Sequence, residues 1–269
     1  MRPEPVIRSR QNPVYKQIRS LLRRDRRHQE RAFLVEGPRF IVDAGRFGAE
    51  PTLIALEESR ASHVDLPGDW MQTVRIMDDA LFATVSDTVT SQGAIGVFPI
   101  PEFDAELSSA PLVLIVDGVQ DQGNLGTLIR SAAGAGADRI FVLPGTADPW
   151  SPKTVRAAAA THFAIPIEAT TLEALTSRLP AGTRVVGADA AGTVRYDQLD
   201  LTEPTALVIG AEGHGIAAST RTLIDQFTTI PLHNEVESLN AGVAGSILLF
   251  EASRQRSLLT ESGKSSILG

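Results

Sequence analysis

"PLVLIVDGVQDQGNLGTLIRSAAGAGADRIFVLP", residues 111–144, decides the fold class. Between Pro111 and the Asp117-Gly118 pair the chain is unbroken Leu-Val-Leu-Ile-Val, a run that reads as a strand buried on both faces. NLGTLIRSAAGAG (124–136) follows as a helix that stops on glycine, and RIFVLP (139–144) is the next strand. Strand, helix and strand with short connections predict parallel neighbours joined by a crossover helix. The glycines of the first turn run G-N-L-G, not G-x-G-x-x-G, which weakens a dinucleotide-binding reading.

Downstream the alternation continues. AIPIEA (164–169), RVVGAD (184–189), TALVIG (205–210) and FTTIPL (227–232) read as strands. SPKTVRAAAATHF (151–163) reads as a helix with Ser151 as its cap and Pro152 as its first residue. TTLEALTSRL (170–179) carries a capping box, Thr170 standing three residues before Glu173. The prediction is an α/β domain with a parallel sheet and a ligand beyond the carboxyl ends of its strands. Upstream, Val14, Ile18, Leu21 and Leu22 have helical spacing over 13–27. AFLVEG (32–37), PTLIALEES (51–59) and GAIGVFPIP (93–101) read as strands, and PRFIVDAGRFG (38–48) as a helix opening on proline. PIPEFDAELSSAP, with three prolines and no period, reads as a linker. The expected organisation is a first domain over 1–98, a linker over 99–111, a second domain over 112–256 and a flexible tail over 257–269.

Composition narrows the function classes. The chain has 269 residues, 43% apolar and 21% charged, which suits a globular protein with a real core. No apolar run approaches the roughly 20 residues that cross a membrane. MRPEPVIRSR has no apolar stretch and is not read as a signal peptide. The absence of cysteine excludes disulfides, thiolate metal sites and a cysteine nucleophile, and it fits a cytoplasmic protein. No histidine pair has metal-ligand spacing, so no metal is expected. G-x-x-x-x-G-K-[ST] and G-x-S-x-G are both missing. The net charge of -7 hides an asymmetry, for residues 1–46 hold 12 basic and 5 acidic side chains. RSLLRRDRRHQER (19–31) supplies the candidates Arg19, Arg23, Arg24, Arg26, Arg27 and Arg31. Such a segment reads either as a polyanion contact or as a solvated helix face.

Three loops carry the polar groups suited to chemistry. In VDGVQDQGNLGTLIRSA (116–132), Asn124 sits where a helix cap would, with Arg130 six residues on. Arg130 either faces solvent or looks back over the strand ends. In LVIGAEGHGIAAST (207–220), Gly210, Gly213 and Gly215 let backbone N–H groups approach a ligand, with Glu212 between them. In IPLHNEVESLNAGVAGSILLFEASR (230–254), Glu235, Glu237, Ser238 and Asn240 precede a run that is apolar or glycine from Ala241 to Leu249 and on to Phe250, apart from Ser246. A helix apolar on all sides demands cover on all sides.

In this order and spacing the three loops resemble the motifs of the SpoU/TrmH branch of the SPOUT RNA methyltransferases. The matching elements are Asn124-Leu125-Gly126 with Arg130, Gly210-Ala211-Glu212-Gly213-His214-Gly215, and Ile230-Pro231 followed by Ser238-Leu239-Asn240. FLVEGPRFIVDA resembles part of that family's ribosomal-protein-like substrate-binding domain, and the likeness spans roughly residues 6–252. The resemblance implies a deep trefoil knot, S-adenosylmethionine as cofactor, an obligate homodimer and 2′-O-ribose methylation of RNA, expected to be ribosomal. It implies a catalytic set of Asn124, Arg130, Glu212, Ser238 and Asn240. It implies a cofactor site of Gly210, Glu212, Gly213, Gly215, Ile230, Leu232, Ser238 and Leu239. Arg130 would either take the hydroxyl proton or hold a phosphate that does. Asn234, Ala241-Gly242 and AAAATHF (157–163) depart from the family pattern. Rival readings are an inactive RNA-binding relative, a transfer RNA methyltransferase and a nucleotide-dependent oxidoreductase.

Overall fold

The computed structural model describes residues 5–88, 90–104 and 106–265, the last six by their backbone alone. The chain forms two units, Met1–Glu102 with Asp148–Ala164 and Phe103–Ala147 with Ile165–Gly269. In the first, helix α1 (Pro13–Leu21) starts at Asn12, whose side chain accepts from the Val14 N–H at 2.8 Å, and buries Tyr15, Ile18 and Leu21. The helix expected over 13–27 is two helices. Arg23 is extended, and α2 (Arg24–Glu30) begins after it. Past Leu22 no apolar residue continues the buried stripe, so packing no longer holds one axis.

Strands β1 (Ala32–Glu36), β2 (Leu53–Glu57), β3 (Val74–Met77) and β4 (Ala94–Pro99) make a mixed sheet of order β1-β4-β2-β3. Helix α3 (Pro38–Arg46) follows β1, and α4 (Asp79–Phe82) follows β3. Strand β3, which the sequence reading missed, is a half-buried edge strand with Arg75 in its middle.

The second unit is a seven-stranded, wholly parallel sheet. It opens with β5 (Leu112–Asp117), α5 (Gln122–Ala135) and β6 (Arg139–Val142). The chain then makes α6 (Pro152–Ala157), within the stretch that belongs to the first unit, although the sequence reading gave that stretch to the second. The remaining elements are β7 (Ile167–Ala169), α7 (Leu172–Arg178), β8 (Arg184–Ala188), β9 (Val194–Arg195), β10 (Thr205–Gly210), α8 (Ala218–Arg221), β11 (Gln226–Thr229) and α9 (Ala241–Ser265). Their order is β7-β6-β5-β10-β8-β11-β9, so β10 pairs with β5 along its whole length. The two-residue strand β9 had no sequence signal. Thr171, not Thr170, caps α7, accepting from the Ala174 N–H at 3.3 Å.

The helix expected over 151–163 ends at Ala157. Ala159 and Ala160 follow in the left-handed region, at φ 51° and 60°. That conformation costs about 1–2 kcal/mol per non-glycine residue. The turn is held because it buries His162 and Phe163 against Phe33, beside Trp150.

Helix α9 runs past the predicted domain end at 256, and residues 257–265, expected as a flexible tail, are helical. Arg256 anchors the helix at that boundary. Its guanidinium donates to the carbonyls of Ala110, Pro111, Leu201 and Glu203, while Gln255 bonds the backbone of Leu199 and Leu201. Within the chain α9 is covered on one side only. Ala241, Leu248, Leu249 and Ala252 are buried, whereas Val243, Phe250, Leu258 and Leu259 are exposed. The glycines let α9 approach α5: a Cβ on Gly245 would stand 2.2 Å from the Leu128 side chain, and one on Gly242 3.1 Å from Thr127. Among the described residues no helix is long and apolar enough to cross a membrane, and no cluster of His, Cys, Asp and Glu suits a metal ion.

His162 gives the first unit a pH signature. It is fully buried, its Nε2 lies 2.7 Å from the Pro149 carbonyl, and its Nδ1 has no partner. Burial lowers its pKa from 6.5 to about 4. Above the ordinary value neither folded nor unfolded chain is protonated there. Below it the unfolded chain takes a proton that the fold refuses, so stability is lost as pH falls from about 6.5 to about 4. At 1.36 kcal/mol per pKa unit the loss is about 3 kcal/mol. Both tryptophans, Trp70 and Trp150, lie in this unit and report its unfolding by fluorescence. His162→Phe should flatten the pH dependence of the urea midpoint across that window relative to wild type.

Candidate active site

The carboxyl ends of β8, β10 and β11 open into a cavity of 490 Å³, a size suited to a small-molecule ligand. Its wall includes Gly210, Glu212 and Gly215 from the loop after β10, and Ile230, Leu232, Ser238 and Leu239 from the loop after β11. Gly210 admits no side chain, because a Cβ there would lie 2.3 Å from the Gly215 backbone. Ala211 and Gly215 exchange backbone hydrogen bonds of 3.0 and 2.8 Å, closing a tight hairpin that carries Glu212 at its turn. Gly213 is not in the wall, and a Cβ on it would meet nothing, so the proposed cofactor role does not extend to it on geometry.

Glu212, Asn124 and Asn240 form a closed triangle. Glu212 Oε1 accepts from Asn124 Nδ2 at 2.5 Å, from Asn240 Nδ2 at 2.7 Å and from the Ala241 N–H at 3.3 Å. Asn240 Nδ2 also donates to Asn124 Oδ1 at 2.7 Å. Asn240 Oδ1 accepts from the Val243 N–H at 3.1 Å, capping α9. These partners determine the amide orientation, since a carboxylate only accepts and a helix N–H only donates. The end of α9 brings N–H dipoles to the same carboxylate. Ser238, two residues before Asn240, stands in the cavity wall.

Asn124 is not a cap either. Asp121 caps α5, accepting from the Asn124 N–H at 2.8 Å, and this frees the Asn124 amide to cross to the other two loops. Asp117, buried at the end of β5, accepts from the Ala217 N–H at 2.8 Å and pins the far side of the Glu212 loop. Asp189 and Arg221 also stand in the cavity wall, joined by an ion pair of 2.6 Å. Sequence reasoning missed Asp117, Asp121, Asp189 and Arg221. The available signal was an acid at or beside the carboxyl end of a parallel strand, as in VDG (116–118) and GAD (187–189).

Arg130 lies outside this constellation. It is exposed on α5 and is not part of the cavity wall. At 100° per residue it is turned about 120° from Asn124 and lies about 9 Å further along the axis. It borders a different surface: Gly134, one turn later on the same face, lies against exposed Phe250 of α9.

The basic segment divides. Arg19, Arg23, Arg24, Arg26 and Arg31 are exposed. Arg27 is 3% exposed, donates to Asp148 from Nε at 3.0 Å and from Nη2 at 2.5 Å, and donates to the Leu21 carbonyl at 2.8 Å. Its assignment to a nucleic-acid surface is therefore corrected: Asp148, 121 residues away in sequence, turns it inward.

Comparison with known proteins assigns the family. The profile of the SpoU rRNA Methylase family matches residues 111–250, and that of the MRM3-like substrate binding domain matches residues 12–96. The chain belongs to the SpoU rRNA methylase family. It is similar to the 23S rRNA (guanosine(2553)-2′-O)-methyltransferase RlmP of Bacillus subtilis, with 34% identity over 91% of this chain and 97% of that protein. It is also similar to the mitochondrial rRNA methyltransferase 3 of Homo sapiens, 32% identical over 85% of this chain and 69% of that one. Among solved structures, the AdoMet-bound rRNA methyltransferase of Sinorhizobium meliloti superposes with a TM-score of 0.81, at 30% identity over 93% of this chain and 97% of the other. The SpoU methyltransferase AviRb of Streptomyces viridochromogenes, in complex with AdoMet, gives 0.78 at 29% identity over 91% and 98%.

The two classes of arginine in this SpoU-family chain should separate in unfolding experiments. Arg27→Ala strands the buried Asp148 carboxylate and should cost about 3–5 kcal/mol. Arg24→Ala and Arg26→Ala should stay within about 0.5 kcal/mol of wild type. Urea denaturation followed by tryptophan fluorescence distinguishes the two.

Proposed function

We propose that the protein transfers a methyl group from S-adenosylmethionine to a ribose 2′-hydroxyl of ribosomal RNA. The observation that carries this reading is the Asn124–Glu212–Asn240 triangle at the rim of a 490 Å³ cavity, in a chain of the SpoU family. The cavity fits a nucleoside-sized ligand: glycine backbone on one side, Ile230, Leu232 and Leu239 on another, and carboxylates at its edges. When bound, the cofactor supplies the electrophilic methyl group. A C–O bond forms as the C–S bond breaks, the C–S electron pair stays on sulfur, and the hydroxyl proton leaves.

The chain's own residues orient and manage that proton. Three donors hold Glu212 Oε1, and among the described residues Oε2 takes no hydrogen bond, which leaves it for a substrate hydroxyl. Asn124 and Asn240 keep the carboxylate from turning. Arg130 is assigned the proton itself or the RNA phosphate that receives it. Ser238 is assigned to the cavity edge. The second unit is proposed to be knotted, which agrees with a strand order that interleaves β10 and β11 with β8 and β9.

The homodimer belongs to the same proposal. Val243, Phe250 and Leu258 form an exposed apolar stripe on α9, and Arg130 borders it, so a second copy would both cover the stripe and complete the site. Val243→Glu should convert a sedimenting dimer to monomer and abolish transfer. A wild type that sediments as monomer at micromolar concentration overturns this part. Exposed Arg19, Arg23, Arg24, Arg26 and Arg31 are proposed to meet RNA phosphates, and the setting is taken as cytoplasmic.

The deciding experiment is single-turnover methyl transfer with Arg130→Ala, paired with mapping of 2′-O-methylation in total RNA with and without the protein. Transfer should fall about 10²–10⁴-fold, as loss of proton management does, with cofactor affinity near wild type. Arg130→Lys should recover little, because an ammonium lacks the planar grip of a guanidinium on phosphate. Wild-type rates in Arg130→Ala remove its role. An RNA methylation pattern unchanged by the protein removes the function.

A further inference from the structure

The cavity has a second polar feature that the proposed chemistry does not use. Asp189 stands just past the end of β8, on the other side of β10 from β5 and therefore across the cavity from the Asn124 loop. Its position is over-determined. Its N–H donates to the Thr228 carbonyl at 2.9 Å, and its Oδ1 accepts from the Ala191 N–H at 2.9 Å in a tight turn. Gly192 closes that turn where a Cβ would lie 2.5 Å from the Thr228 backbone. Arg221 is fixed as firmly, with Nη1 donating to Asp189 Oδ2 at 2.6 Å and the guanidinium 4.3 Å from the centroid of the Phe227 ring.

We infer that Asp189, braced by Arg221, is the acceptor for the ribose hydroxyls of the bound adenosyl cofactor. The inference rests on the cofactor reading above and adds the residue that reads its sugar. A carboxylate has about four lone-pair positions. Ala191 and Arg221 occupy one on each oxygen, leaving one acceptor on each, and the side chain is 21% exposed at the cavity wall. Two acceptors side by side match a vicinal diol, much as an acidic residue at a strand end takes a ribose 2′-hydroxyl in dinucleotide-binding folds. The amino group of the methionine half is the poorer fit. Arg221 already neutralises Asp189, so an ammonium there would meet a guanidinium within hydrogen-bonding range of the same carboxylate. Hydroxyls carry no charge and incur no such repulsion. The Arg221 guanidinium and the Ala191 N–H hold the Asp189 carboxyl below the usual carboxylate range, which keeps it acceptor-only at neutral pH.

The test is isothermal titration of S-adenosylhomocysteine and of its 2′,3′-dideoxyribose analogue into wild type and Asp189→Asn, with thermal melting of the variant as a fold control. Hydrogen bonds to a charged partner set the expected scale, so Asp189→Asn should weaken the natural ligand about 10–100-fold. The dideoxy analogue should bind wild type with a similar loss, and Asp189→Asn should weaken it further by less than about threefold. The analogue on wild type needs no mutation and keeps the test decisive if the variant folds poorly. Equal losses for both ligands on substitution, or a dideoxy analogue that binds wild type as tightly as the natural one, overturn the assignment. A wild type that binds neither ligand overturns the cofactor reading and this assignment together.

Discussion

One oxygen atom, Oε1 of Glu212, gathers three segments that are far apart in sequence. It accepts from Asn124 at the start of α5, from Asn240 before α9 and from the first N–H of α9 itself. Glu212 is exposed, so what fixes it is the convergence of three donors on one oxygen, hydrogen bonds to a charged acceptor being stronger than neutral ones. The loops after β5, β10 and β11 therefore hold one another in place. The polar residues at the mouth of an apolar helix thus do two jobs. Asn240 caps α9 through its oxygen and completes the triangle through its nitrogen, so the helix start and the site are one structure.

The triangle needs close backbone approach, and small residues allow it. Gly210 lies where any side chain would strike Gly215, and Gly245 lets α9 settle on Leu128 of α5. A single hydroxyl pair, Ser131 with Ser246 at 2.7 Å, ties the two helices further along. Further along, Arg256 collects four carbonyls, which anchors α9 to the loops that bound the sheet. The most apolar helix is thus fastened by polar groups at its start and at Arg256 while one of its faces stays open.

Charge is used in two distinct ways along the basic segment. Arg19, Arg23 and Arg31 are exposed although each holds a surface partner, Thr84, Asp25 and Glu102 in turn, and such exposed groups can exchange counterions with a polyanion. Arg27 differs from its neighbours in being buried, with Asp148 and the Leu21 carbonyl as its partners. Asp189 and Arg221 repeat the device in the second unit, where the pair faces a cavity instead of a core.

By itself the sequence determined the class of the second unit, most of its strands, the stops of α3 and α5 and the three loops with polar residues. Those features are local: apolar runs, terminal glycines and prolines, and spacing along one element. The edge strand β3 and two-residue β9 escaped it because their signal is too short to rise above the alternation around them. Only the tertiary structure decided that Arg27 is internal, that Asp121 and not Asn124 caps α5, that Arg130 lies off the cavity, and that α6 joins the first unit. It also decided that Asp189 and Arg221 meet, 32 residues apart. Each depends on a partner brought from a distant segment, and a hydrogen bond across such a gap leaves no period in the sequence to read.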